Sequence, residues 1–235
     1  VASGATLAGA RNIAGPGTIN GTLLMGSTGG TTVGSLTFGS GTTIGVAGNG
    51  GIGILSAPTV TLGSGTRTIN VNFDGTSADR VNATGANGLT LDGTNTINVI
   101  TGGAGWVTGS YPIFGYNGAI QGVGAGSLAL ATGTGRHAVS IVDTGSSVNL
   151  AVASAGNLIW KASTDAVWNT TTPNWELSTA AGTPETFQPQ DNVVFDGTAS
   201  SFNVLLDSSV GPAGVTFDSP SDYSLGGAGA ITFGG

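Results

Sequence analysis

The side chains that could perform acid–base, nucleophilic or metal chemistry are few in this chain. It has one histidine, His137, and no cysteine, so it lacks a cysteine nucleophile and most of the nitrogen and sulfur ligands of a transition-metal site. His137 precedes an alternating run at 138–142, where a lone histidine is more often a surface or packed residue. With 22 serines in the chain, a serine–histidine–aspartate triad could be drawn in many ways and carries no information.

Paired carboxylates are the remaining candidates for catalysis. An enzyme that cleaves carbohydrates on a β-helix needs carboxylates that converge, often with a basic residue or calcium. Asp191 and Asp196 are five residues apart and would point to opposite faces of a continuous strand, while Asp218 and Asp222 flank Pro220 in a predicted turn. We therefore predict no enzyme activity, no catalytic or metal-binding residues and no cofactor. A carbohydrate-binding or carbohydrate-cleaving β-helix is the alternative.

Charge divides the chain near residue 156. Residues 1–156 carry four arginines and four aspartates, whereas residues 157–235 carry one lysine and eight acidic side chains and hold the entire net charge of −7. Scattered basic residues cannot form a stripe that follows nucleic acid or binds an anionic membrane. No run approaches the roughly 18 apolar residues of a membrane-spanning helix. The sequence predicts no nucleic-acid partner and no membrane insertion by this segment.

Short strands must position whatever function the chain has. Glycine, 44 of the 235 residues, separates alternating runs such as Gly30-Thr31-Thr32-Val33 and Gly93-Thr94-Asn95-Thr96-Ile97, a pattern that predicts strands with one buried face. Their outward positions are mostly small and polar, which favours a β-solenoid, with rungs stacked about 4.8 Å apart, over a sandwich. We predict an all-β fold with neutral Gly/Thr-rich solenoid coils at 1–156 and an acidic segment at 157–235 that continues the stack.

Tryptophan marks the beginning of the acidic segment. Trp160, Trp168 and Trp175 lie in a stretch without glycine, 157–181, and we predict irregular loops or a short antiparallel insertion near residues 160–190. The three indoles could form an exposed platform on which sugars stack. We favour packing in the interior, because each indole can bury on the order of 200 Å². The tetrad Phe73-Asp74-Gly75-Thr76 recurs as Phe195-Asp196-Gly197-Thr198, which indicates degenerate internal repetition.

The acidic segment resembles the autotransporter-associated β-strand repeat of large bacterial surface and secreted proteins. Its matching pieces are Leu158-Ile159-Trp160, Trp168, Asn174-Trp175, Asp191-Asn192-Val193-Val194-Phe195-Asp196, Val204-Leu205-Leu206, Val215-Thr216-Phe217, Tyr223 and Gly226-Gly227. The preceding region is similar to the part of an autotransporter passenger that comes before such a repeat. Its matching pieces include Leu36-Thr37-Phe38, Leu89-Thr90-Leu91-Asp92-Gly93 and Tyr111-Pro112-Ile113-Phe114.

The resemblance implies a right-handed parallel β-helix displayed outside a bacterial cell, on its surface or secreted, as a stalk, spacer or adhesive surface. On that basis we expect an extracellular structural and adhesive protein. The chain could be a fragment, a repeat unit or a mature fibre subunit. Surface glycans are a further partner that an adhesive surface would bind.

Neither end of the predicted stack carries a capping helix or a charged cover. An unpaired rung readily adds another strand. The run around Ile231 and Phe233 has the same glycine-punctuated pattern as the run around Leu7 and Ile13. We predict end-to-end assembly through these four residues, with a second copy in a head-to-tail homopolymer or with flanking repeats of a longer chain as the partner.

Threonine pairs raise a minor alternative. Thr59 and Thr61, Thr66 and Thr68, and Thr94 and Thr96 each place two hydroxyls on one face of a strand, as ice-binding solenoids do. The spacing between these pairs in the sequence is irregular, whereas ice requires a flat regular array. Because threonine also simply suits strands, ice binding ranks below the structural and carbohydrate hypotheses.

Overall fold

The structure, a computed structural model, describes residues 1–9, 13–25, 29–47, 51–101, 107–131, 138–153, 156–189 and 191–233. His137 lies outside these residues. The chain forms two compact units, the first made of Val1–Ala104 and Thr108–Ala153 and the second of Gly105–Val107 and Ser154–Gly235. The division at 153/154 falls a few residues before position 156, where the charge of the sequence changes.

The described part of the first unit contains seventeen strands and a 3₁₀-helix at Gly124–Ser127. The strands are β1 (Thr6–Ala8), β2 (Gly17–Ile19), β3 (Thr22–Leu24), β4 (Gly29–Thr32), β5 (Leu36–Phe38), β6 (Thr42–Gly45), β7 (Gly53–Ala57), β8 (Val60–Leu62), β9 (Thr66–Asn72), β10 (Arg80–Ala86), β11 (Leu89–Leu91), β12 (Thr94–Ile100), β13 (Gly109–Asn117), β14 (Gln121–Gly122), β15 (Leu128–Leu130), β16 (Ala138–Asp143) and β17 (Ser147–Ala153).

These strands form three sheets that the chain visits in rotation. The orders are β1-β3-β6-β9-β12-β15, β14-β11-β8-β5-β2 and β4-β7-β10-β13-β17-β16. Each strand from β2 to β12 pairs in parallel with the strand three places later. The third sheet ends differently, because β17 lies antiparallel to β13 and β16 lies antiparallel to β17.

Alternation along each strand decides which side chains fill the interior. In the pair β9 and β12, Ile69 lies opposite Ile97 and both are buried, while Thr68 lies opposite Thr96 on the other face. Successive side chains point to opposite faces of a strand, so the β-branched residues at every second position become the core. The predicted all-β class with buried alternate positions is confirmed.

Polar side chains inside the first unit bind the carbonyls of the turns. Thr42, Arg67 and Asn95 occupy the same position on successive paired strands, and all three are buried. Arg67 donates from Nε to the carbonyl of Phe38 (3.0 Å) and from its terminal nitrogens to the carbonyls of Gly63 (2.7 Å) and Ser64. A buried cation is tolerated when its donors are satisfied in this way.

The second unit contains seven described strands. They are β18 (Leu158–Trp160), β19 (Trp175–Leu177), β20 (Ala180–Glu185), β21 (Asn192–Asp196), β22 (Asn203–Leu206), β23 (Gly214–Asp218) and β24 (Ser224–Gly227). One sheet has the order β20-β19-β18-β21-β23, in which β18, β21 and β23 run parallel, and a second pairs β22 with β24 in parallel. A parallel bridge between Val210 and Ile231 forms a third point of contact between the last two rounds of chain.

Among the described strands of the second unit, the antiparallel pairs are β18 with β19 and β19 with β20, and both β19 and β20 lie within the predicted region 160–190. The remaining strands of this unit pair in parallel. Among the residues that the structure describes, no helix is long and apolar enough to cross a membrane.

Candidate functional site

The last round of chain in the second unit has an open side. We name β23, β24 and Ile231 the terminal layer. Within the described residues, β23 pairs only with β21, β24 pairs only with β22, and Ile231 bridges only Val210. Their outer N–H and C=O groups therefore face away from the stack, where an incoming strand could pair with them.

The apolar side chains of the terminal layer are half covered. In the layer beneath, Phe195 is fully buried and Val204 is 3% exposed, whereas Phe217, directly opposite Phe195, is 54% exposed. Phe233, just after the layer, is 61% exposed. Val215, Leu225 and Ile231 are partly buried against the core of the unit. The terminal layer thus repeats the inward pattern of the layer below without a further layer to bury it.

Aromatic rings continue from the core to this open side. The rings of Phe195 and Phe217 stack with centroids 4.9 Å apart and planes inclined by 14°, and Tyr223 packs edge-on against Phe195 at 5.1 Å. The Tyr223 hydroxyl donates to the carbonyl of Asp196 at 2.7 Å. Burial, with a smaller effect of the Asp196 charge, raises the pKa of Tyr223 to about 12. Tyr223 is therefore a neutral hydrogen-bond donor at physiological pH.

A groove runs along the terminal layer. Its volume is about 350 Å³, and it is lined by Phe217, Ser219, Ser221, Asp222, Tyr223 and Leu225. Aromatic and aliphatic walls with two serine hydroxyls and one carboxylate suit an extended segment whose side chains alternate between apolar and small polar residues.

The opposite end of the chain offers a second strand edge. Among the described residues, β1 pairs only with β3 and stands at the edge of its sheet. Leu7 in this strand is half-buried, and Ile13 is half-buried with its carbonyl accepting a hydrogen bond from Gly34 N at 2.7 Å. Of the four residues predicted for assembly, Leu7 and Ile231 lie on strand edges and Phe233 is exposed; Ile13 lies in a connection.

The three tryptophans predicted as packing or sugar-stacking residues are all fully buried. Trp175 packs edge-on against Trp160 and Trp168, with centroids 4.9 and 5.2 Å away. Trp160 donates from Nε1 to the Ser201 carbonyl at 2.9 Å. The rings form the core of the second unit, so no sugar can stack on them in this structure.

The sequence pattern did not identify Phe217 and Tyr223 as part of a candidate interaction surface. A signal for Phe217 was present, because Val193-Val194-Phe195 and Val215-Thr216-Phe217 share a pattern and lie 22 residues apart, in the register that β21 and β23 adopt. That repetition shows that Phe217 occupies the position of Phe195. The exposure of Phe217 is visible only in the structure, where no further described strand covers β23.

Threonines form two regular columns on the outer faces of the first unit. One column follows Thr6, Thr22, Thr43, Thr68 and Thr96, and the other follows Thr18, Thr37, Thr61 and Thr90. Members of the first column are 16, 21, 25 and 28 residues apart in the sequence. Connections of unequal length bring them into register, so irregular spacing does not exclude a regular array.

Two of the four carboxylates considered for catalysis, Asp191 and Asp196, accept structural hydrogen bonds. Asp191 is 5% exposed and accepts a hydrogen bond from Gln188 N at 2.7 Å. Asp196 accepts from the backbone N and the hydroxyl of Thr198 at 2.8 and 2.6 Å, closing a turn. In the described ranges, no group of three or more His, Cys, Asp or Glu residues could hold a metal ion.

Comparison of the chain with protein-family models, with curated proteins and with solved structures gives no match.

Proposed function

We propose that this chain is an extracellular structural and adhesive protein, a right-handed β-solenoid on or outside a bacterial cell, that assembles end to end through its terminal layer. The observation that carries the proposal is the contrast between Phe195, fully buried, and Phe217, 54% exposed at the equivalent position one layer further on. A further layer stacked on this side would bury Phe217 as Phe195 is buried.

The strand pairing supports a solenoid. In the first unit, three sheets are visited in rotation and each strand from β2 to β12 pairs with the strand three places later, which is the pairing expected of a chain wound around one interior. The handedness follows from the resemblance to bacterial passenger proteins and from the strong preference of parallel crossover connections for the right hand. Such a rod keeps its terminal strands unpaired unless they are capped or continued.

Assembly would combine backbone pairing with apolar burial. An incoming strand such as β1 of a second copy could pair with β23 or β24, which is the strand-addition mode of recognition. Fully burying a phenylalanine stabilises by about 1.5–3 kcal/mol, so covering the exposed half of Phe217 contributes on the order of 1 kcal/mol. Flanking repeats of a longer chain would occupy the same edge in the same way.

The test compares two exposed apolar residues of the second unit. Phe217→Ser alters the terminal layer, whereas Leu205→Ser alters β22, where Leu205 is 47% exposed on the side of the stack. We expect wild-type chains to associate reversibly in sedimentation experiments. Phe217→Ser should weaken association about tenfold, as 1.4 kcal/mol of lost contact implies, and Leu205→Ser should leave it unchanged. A wild type that stays monomeric, or equal effects of both variants, contradicts end-to-end assembly.

The threonine columns support ice binding as a second candidate. Their hydroxyls recur at the strand spacing of about 4.8 Å on two outer faces. If this candidate is correct, the protein shows thermal hysteresis that Thr68→Lys abolishes, since Thr68 lies inside the longer column. Thr32→Lys, on the exposed face of β4, is the matched control. Absence of hysteresis in the wild type rejects this candidate and leaves the structural proposal intact.

A further inference from the structure

The last described residues of the chain repeat a segment of the first unit. Gly229-Ala230-Ile231-Thr232-Phe233 matches Gly34-Ser35-Leu36-Thr37-Phe38, with the same glycine, threonine and phenylalanine and with similar residues at the other two positions. In the first unit this segment contains β5, which pairs in parallel with β2 and places Thr37 opposite Thr18. Residues 229–233 are therefore a counterpart of β5 in sequence.

Backbone hydrogen bonds give the two segments the same register on the layer before them. Gly17 N donates to the carbonyl of Ser35 at 2.8 Å, and Val210 N donates to the carbonyl of Ala230, at the matching position, at 2.9 Å. Ile231 follows this carbonyl and bridges Val210, just as the first residue of β5 lies opposite Gly17. The structure thus confirms the correspondence that the sequence indicates.

Glycine lets both segments approach the layer before them closely. A Cβ atom at Gly34 would stand 2.2 Å from the carbonyl oxygen of Gly15, and one at Gly229 would stand 2.2 Å from the carbonyl oxygen of Ser208. Gly15 has the equivalent position in the turn before β2, and no described atom lies within 4 Å of where its own Cβ would be. The turn before β2 therefore has room to receive one more carbonyl of this kind.

One residue lies along the outer edge of β2. The amino group of Val1 donates to the Thr18 carbonyl at 2.7 Å, and Asn20 N donates to the Val1 carbonyl at 2.8 Å. These are the two bonds that one residue of a parallel strand makes with the residues on either side of its partner, which here is Ile19. A longer segment in the same register would keep both bonds and continue the pairing towards Gly17.

We propose that residues 229–233 of one copy pair in parallel with β2 of a second copy, with Phe233 in the place of Val1. This inference rests on the end-to-end assembly proposed above and specifies which edges meet and in which register. Phe233 N would donate to the Thr18 carbonyl, and the Phe233 carbonyl would accept from Asn20 N, so the two hydrogen bonds of Val1 are made again. The pairing continues the established contact between β2 and β5 by one strand.

Side-chain packing also continues in this register. Phe38, which lies opposite Ile19, is 1% exposed, whereas Phe233 is 61% exposed. In the assembly, Ile19 of the second copy lies opposite Phe233 and covers part of its ring. Thr232 lies opposite Thr18 and extends the threonine column of that sheet. Neither paired segment has a charged side chain, so the contact leaves no buried charge without a partner.

Gly15→Ala tests the contact without disturbing the isolated chain. The added methyl group has open space in the fold, but in the assembly it meets the Gly229 carbonyl as closely as a Cβ at Gly34 would meet Gly15. We expect an unchanged denaturant midpoint and an association at least tenfold weaker in sedimentation experiments. Gly126→Ala, whose methyl group meets only a side-chain carbon at 3.9 Å, is the matched control and should change neither. Unaltered association of Gly15→Ala overturns the proposed register.

Disulfide cross-linking measures the register directly, because the chain has no cysteine. Neighbouring parallel strands lie about 4.8 Å apart, a Cα separation that a disulfide spans. In mixtures of single variants, Thr232→Cys should form a mixed disulfide with Thr18→Cys at least tenfold faster than with Thr37→Cys. Thr37 is exposed in the same column but one strand further on, about 9.6 Å from Thr232 in the assembly. Equal rates with both partners, measured by mass spectrometry of the linked peptides, overturn the pairing.

These results separate the pairing from the proposed function. Wild-type chains that associate and are weakened by Phe217→Ser, but show neither the Gly15→Ala effect nor the preferred cross-link, assemble through other edges. That outcome overturns the pairing of residues 229–233 with β2 and leaves end-to-end assembly intact. Wild-type chains that stay monomeric overturn both, and leave the terminal layer to flanking repeats of a longer chain.

Discussion

Two aspartates of the first unit show how position decides the behaviour of one residue type. Asp79 is 1% exposed and accepts hydrogen bonds from Gly53 N and from both nitrogens of Asn72 at 2.7–3.0 Å. Burial nevertheless raises the pKa of Asp79 above its ordinary 3.8. Asp74 lies in an exposed turn, and the backbone N–H of Thr76 lowers the pKa of Asp74. The same turn hydrogen bonds recur at Asp196, in the second copy of the tetrad.

These two shifts predict opposite effects of pH on the free energy of unfolding. Just above pH 3.8 the folded chain keeps a proton on Asp79 that the unfolded chain has lost, so the stabilisation from this group falls as the pH rises. Asp74 stabilises the fold above pH 3.8, and this contribution is lost as the pH falls below it.

We expect Asp79→Asn to lower the free energy of unfolding by about 1–3 kcal/mol at neutral pH, because one amide oxygen replaces two accepting carboxylate oxygens. The variant should also lack the decline in stability that Asp79 causes above pH 3.8. Urea unfolding at several pH values measures both. Asp74→Asn is the control and should alter the pH dependence only below 3.8. An unchanged free energy of unfolding for Asp79→Asn at neutral pH would show that the hydrogen bonds from Gly53 and Asn72 to the buried carboxylate do not stabilise the fold.

At the scale of the strands, parallel register is set by the turns that separate them. Gly93, in the turn before β12, has a φ of +74°, and a Cβ atom there would stand 2.2 Å from the carbonyl oxygen of Gly65. Gly41, in the turn before β6, has a nearly equal φ of +75° with open space around it. The two glycines share a backbone conformation and differ in how closely the neighbouring turn approaches.

This pair predicts a graded response to alanine. Gly41→Ala should cost about 1–2 kcal/mol of stability, the penalty of a left-handed conformation for a residue with a Cβ atom. Gly93→Ala should cost more, since its Cβ atom also collides with the backbone of the adjacent turn. Denaturant midpoints with unchanged m-values measure the difference. Equal losses of stability in the two variants would mean that the turns at Gly65 and Gly93 can move apart at no energetic cost. The close contact between them would then not fix the register of β9 and β12.

At the scale of the whole molecule, each unit has its own apolar core. The second unit is centred on Trp160, Trp168 and Trp175 with Phe187 and Phe195, all fully buried. The first unit is filled mostly by aliphatic side chains from successive strands, such as Leu23 and Leu55, together with a few phenylalanines. Trp106 lies outside the described residues, and replacing it by phenylalanine leaves these three buried tryptophans as the fluorescence probe of the second unit.

In that Trp106→Phe background, we expect core variants to act on separate transitions. Phe195→Leu should lower the denaturant midpoint of the fluorescence change, because it removes a ring that packs against all three tryptophans. Leu55→Ala should destabilise the first unit by about 2–5 kcal/mol and leave the fluorescence midpoint unchanged. Circular dichroism detects the strands of both units. A fluorescence midpoint that falls equally in both variants would show that the two units unfold as one.

The sequence alone determined the class of structure and the alternation of inward and outward positions along each strand. Alternation with a period of two is a local property, so Ile69 and Ile97 could be assigned to the core and Thr68 and Thr96 to the outer face without a structure. Tertiary structure decided which residues meet. Register depends on the lengths of the connections, and these bring threonines with unequal spacing into one column and place β17 antiparallel to β13. It also decided that Phe217 is open while Phe195 is covered, because burial depends on neighbours that are distant in the chain.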